Sequence, residues 1–60
     1  MRVVFVVLHL GRQGMEVVTE EPGPTGPRRR AVNITWHQKE ATDVPPADWV
    51  QMVRDEIAFQ

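Results

Sequence analysis

Cysteine and serine are both missing from this chain of 60 residues, and its net charge is only −1. Without Cys there is no disulfide and no thiolate metal site to staple a small fold. Without Ser or Cys the usual nucleophiles are gone, and Thr19, Thr25, Thr35 and Thr42 sit in no motif that activates a hydroxyl. A net charge so close to zero supplies no global attraction to nucleic acid or to an anionic membrane, so any basic surface has to be local. The four glycines form no phosphate-binding pattern. Gly11 and Gly14 flank one turn, while Gly23 and Gly26 alternate with prolines that lack the amide donors of a phosphate cradle.

No long apolar run is present either. Val3 to Leu8 is too short to span a bilayer and lacks the basic flank and cleavage site of a secretory signal. It therefore reads as part of the fold, with no membrane partner, and a cytoplasmic location is expected. Sixty residues form a single small domain, 1–60, which buries only about 60% of its unfolded surface and has no room for a deep cleft. No enzyme and no cofactor are expected. What is present, 42% apolar and 25% charged residues, is the composition of a globular domain.

The run Val3-Val4-Phe5-Val6-Val7-Leu8 is β-branched, aromatic and aliphatic and ends at Gly11, which favours a strand over about 2–10. Gly11-Arg12-Gln13-Gly14 then separates it from a second strand at about 15–20, as in a hairpin with a four-residue loop. With Leu10 opposite Met15, Leu8 faces Val17, Val6 faces Thr19, Val7 faces Val18, His9 faces Glu16 and Phe5 faces Glu20. A third strand at about 30–38 alternates, with Val32, Ile34 and Trp36 on one side and Asn33, Thr35 and His37 on the other. Beyond it, Pro45 and Pro46 suit a first helical turn, and Trp49, Met52, Val53 and Ile57 recur at helical spacing, predicting an amphipathic helix at about 46–58.

These elements predict an α+β fold: a three-stranded antiparallel meander with the C-terminal helix on the face carrying Leu8, Val17 and Trp36. A sheet with the first strand in the centre would need residues 21–29 to run back along it, a reach of at most about 30 Å. The connector 21–29, rich in Pro, Gly and Arg, reads as an irregular surface loop.

Candidate functional residues follow from what this assembly leaves over. Val3, Phe5 and Val7 point away from the helix, with Val18 as their apolar neighbour, and a strand apolar on both sides is normally covered on both sides. Burying each would contribute on the order of 1.5–3 kcal/mol. The surface Val3, Phe5, Val7 and Val18 is therefore the expected protein interface. The expected function is a small non-enzymatic interaction module, homodimeric through the outward face of the first strand, with a further, unidentified protein as partner. The alternative is a nucleic-acid-binding protein using Arg28, Arg29 and Arg30, with Lys39 and His37 nearby. Against it, Glu20 and Glu21 flank the same loop, and charged side chains also serve to protect sheet edges. His9, Glu16 and His37 share a side in this register but match no metal-binding spacing, so no metal is expected.

Overall fold

A computed structural model of the chain describes residues 1–39 and 44–59. The expected α+β architecture is what it shows. Three antiparallel strands, β1 (Arg2–Leu8), β2 (Gly14–Glu21) and β3 (Arg28–Thr35), form one open sheet in the order β1-β2-β3, followed by one helix, α1 (Trp49–Phe59). No helix among the described residues is long and apolar enough to cross a membrane.

The β1–β2 register differs from the expected one by two residues: Leu8 lies opposite Met15, Val7 opposite Glu16, Val6 opposite Val17 and Phe5 opposite Val18. Backbone chemistry at the turn decides this. The Arg12 amide donates to the His9 carbonyl at 3.1 Å, and Gly11 takes the third position of that turn with φ of 73°. That conformation strains any residue with a Cβ, so the glycine locates the turn. The His9 amide donates in turn to the Gly14 carbonyl at 3.1 Å and closes the hairpin one residue earlier on each strand than expected. A slip of two residues keeps every side chain on its own face, which is why apolar alternation does not distinguish the two registers.

A bulge between Val3 and Phe5 does change a face. An extra residue in one strand inverts the alternation beyond it. Val3 thus lies opposite the buried Thr19 and packs, partly buried, against the core. It does not share the outward face with Phe5 and Val7, and is withdrawn from the expected interface.

The core consists of Met15, Val17, Val32, Ile34, Trp36 and Val53, with Val3, Trp49, Met52 and Ile57 packed against it. Ile34, Val17, Trp36 and Val53 lie where their periodicity put them. Leu8 does not: it is exposed. The reason is the position of α1, which packs against β3, at the far side of the sheet from β1. Strands lie about 4.8 Å apart, so a helix seated over β3 does not reach across two of them.

Two further boundaries move. The helix begins at Trp49, because the Met52 amide donates to the Asp48 carbonyl at 3.1 Å, which makes Asp48 the residue that starts the helical ladder. Pro46 precedes it in a turn, its carbonyl accepting from the Trp49 amide at 3.1 Å, and so does not form the first helical turn. β3 begins at Arg28 and ends at Thr35, two residues earlier at its start than expected, with Glu21 opposite Arg28 and Glu20 opposite Arg29. Arg28 and Arg29 are strand residues, and the irregular connector shrinks to 22–27. Within it the Gly26 amide donates to the Gly23 carbonyl at 3.3 Å, with Pro24 at the position of the turn where its ring presets the backbone.

Candidate association surface

The direction of each peptide group in β1 follows from two hydrogen bonds. In antiparallel pairing, a direct bond between facing residues marks a pair that exchanges both its bonds, and such pairs alternate along the ladder. The bond from His9 to Gly14 therefore makes Val7 with Glu16 and Phe5 with Val18 bonded pairs, so the peptide groups of Phe5, Val7 and His9 point at β2. The other side of β2 agrees: the Trp36 amide donates to the Gln13 carbonyl at 3.0 Å, so Gln13, Met15 and Val17 turn their peptide groups towards β3. Val6 and Leu8 consequently present theirs outward, along the free edge of the sheet.

The side chains of the same four residues are exposed on both faces. Phe5 (49% accessible) and Val7 (47%) lie on the face away from the helix; Val6 (42%) and Leu8 (43%) lie on the helix face that α1 does not reach. Val18, opposite Phe5, is half-buried and continues the outward patch. Sequence reasoning located Phe5, Val7 and Val18 on one face, but it set Val6 on the helix-side face and Leu8 under the helix. The available signal was the single helix of one small chain, which is too narrow to cover three strands.

The two sheet edges are unlike. Arg2 is the only charged residue of β1, while β3 carries Arg28, Arg29 and Arg30. Charged residues are a usual protection of an edge against pairing. By that criterion β3 is guarded, and the segment Phe5–Leu8 of β1 is open.

The arginines do not form an isolated basic cluster. Glu20 accepts from Arg2 at 3.0 Å and from Arg29 at 3.1 Å, in a row across all three strands, and Arg30 lies 3.8 Å from Glu21. The Arg28 stem packs where a Cβ on Gly23 would stand, 2.6 Å from its Cγ. Lys39 is exposed beyond the end of β3.

Two shallow grooves complete the surface. One, of about 500 Å³, lies between Arg2, Glu20 and the 22–27 turn. The other, of about 680 Å³, brings His9, Arg12, Asn33, Thr35 and His37 to the hairpin end of the sheet. His9 and His37 are thus neighbours on one groove, yet no group of three His, Cys, Asp or Glu among the described residues could hold a metal ion. Buried side-chain polar atoms among the described residues all have hydrogen-bond partners, so none stands waiting for a ligand. Comparison with protein-family models, with curated proteins and with solved structures finds no match to this chain.

Proposed function

We propose that this chain is a small non-enzymatic interaction module that acts through β1, associates with a second copy of itself and presents the resulting assembly to a further protein. The observation that carries this reading is the exposure of Phe5, Val6, Val7 and Leu8, four consecutive apolar residues on an edge strand. Contiguous apolar surface of this kind marks interaction sites in soluble domains. Sedimentation equilibrium tests it: a dimer is expected at micromolar concentrations, and a chain still monomeric at high micromolar concentration overturns it.

Binding to phosphates through Arg28, Arg29, Arg30 and Lys39 is the competing role. The engagement of Arg29 by Glu20 and of Arg30 by Glu21 favours protein association, since each carboxylate cancels part of the field a phosphate would need. A salt titration separates the two. Affinity for generic DNA or RNA that falls steeply as salt rises supports the arginine role; self-association that changes little with salt supports the apolar one.

A further inference from the structure

Resting on the proposal that β1 is the association surface, we infer that the second copy binds edge to edge, its own β1 pairing antiparallel with β1 in a register centred on Val6, to give one continuous six-stranded sheet.

Three observations select this arrangement. First, apolar side chains are exposed to nearly the same extent on both faces of β1. A partner stacked on the outward face covers Phe5 and Val7 and leaves Val6 and Leu8 in water. A strand added at the edge gives all four a neighbour at once. Second, the peptide groups of Val6 and Leu8 point outward along that edge, and an added strand satisfies them by the same ladder that joins β1 to β2. Third, the added strand has to be apolar on both faces over the same length, and β1 itself is such a strand.

Charge then sets the direction. Arg2, the only charge in β1, falls at opposite ends of the pair when the strands run antiparallel and side by side when they run parallel. Hydrogen bonding sets the register. Outward peptide groups have to meet outward peptide groups, so Val6 faces Val6 or Leu8 of the other copy, and odd offsets are excluded. Centring on Val6 places Phe5 opposite Val7 of the second copy, twice, and Leu8 opposite Val4. A shift of two residues sets Phe5 against His9 instead. Across the segment Phe5–Leu8 the centred register sets apolar against apolar at every position, and His9 meets Val3 only beyond it. Its two-fold axis is perpendicular to the sheet, so both helices lie on the same side, each over the β3 at its own end.

The absence of native cysteine makes a direct test available. Facing residues of a bonded pair have Cα atoms about 5.5 Å apart, within the span of roughly 4.4–6.8 Å that a disulfide bridges. Two Phe5 residues in this register are offset by two positions, roughly 8 Å, and do not meet that limit. Under mild oxidation Val6→Cys is expected to run almost wholly as a covalent dimer with unchanged circular dichroism, and Phe5→Cys to remain uncross-linked. The unmodified chain supplies a second readout by amide hydrogen exchange. The Val6 and Leu8 amides are expected to lose their fast exchange as concentration rises through the dimer range, while Val7, already bonded to β2, serves as the internal control. A dimer in which Val6→Cys fails to cross-link, or cross-links no better than Phe5→Cys, overturns edge pairing and leaves association through β1 standing. So does an exchange rate at Val6 that ignores concentration. A parent chain that is monomeric throughout overturns both.

Discussion

Single residues carry this fold in two ways, by volume and by backbone conformation. Ile34 is buried between sheet and helix with Met15 opposite it, so truncation leaves a cavity that neither β2 nor α1 is free to fill. Ile34→Ala is expected to cost about 2–5 kcal/mol. A chain of this size holds roughly 3–9 kcal/mol in total, so the variant should be partly or wholly unfolded at room temperature by circular dichroism. Gly11 is the opposite case. Nothing lies within 4 Å of a Cβ built there, yet its φ of 73° strains any side chain. Gly11→Ala should destabilise by about 1–2 kcal/mol and Gly11→Asn by less, because Asn tolerates the left-handed region. Urea denaturation of the two variants checks the order, and equal losses would point to a steric cause in place of backbone strain.

At the level of elements, the connector 22–27 and the ion pairs beside it are separable from the core. Glu21 and Arg28 face one another as a bonded pair on the β2–β3 ladder, because pairs alternate from Gln13 with Trp36. A two-residue Asn-Gly turn can close directly on such a pair. Replacing 22–27 with Asn-Gly should therefore keep the fold and leave the melting temperature unchanged or higher, since a shorter loop costs less entropy to close. Loss of binding to a cognate partner in that folded variant would move function from β1 to the loop. The row Arg2–Glu20–Arg29 lies at the surface, and pairs of this kind contribute about 0–1 kcal/mol. Glu20→Gln should change the urea midpoint little, and a large drop would show that the row locks the bulge at Val4.

On the scale of the whole molecule, stability and association compete for the same strand. The helix-side face is buried over β2 and β3 and open at Val6 and Leu8 of β1, so β1 contributes its hydrogen bonds to the sheet while leaving four apolar residues in water. Phe5→Glu is expected to weaken association and preserve the fold: Phe5 points to solvent in the single chain, and in the paired sheet a charge replaces its apolar cross-strand contact with Val7 of the second copy. Sedimentation equilibrium and circular dichroism on the same sample read the two outcomes separately. A variant that unfolds together with losing the dimer would show that the monomer does not stand alone.

Periodicity is local, and it was sufficient for the element types and for the core of β2, β3 and α1. Val32, Ile34 and Trp36 alternate, Trp49, Val53 and Ile57 recur at helical spacing, and both patterns survive in the folded chain because each depends only on neighbours along the sequence. Composition set Arg30 at the strand start and left Arg28 and Arg29 in the connector, and only their pairing with Glu21 and Glu20 placed those two in β3. Register was beyond reach for a different reason. A shift of two residues leaves every face unchanged, so the choice rested on the turn at Gly11. The bulge that turned Val3 inward is a defect in pairing, which no single strand displays. The exposure of Val6 and Leu8 was decided last, by where the helix came to rest. A narrow helix bound to β3 cannot also cover β1, and that is a property of three-dimensional distance rather than of any pattern along the chain.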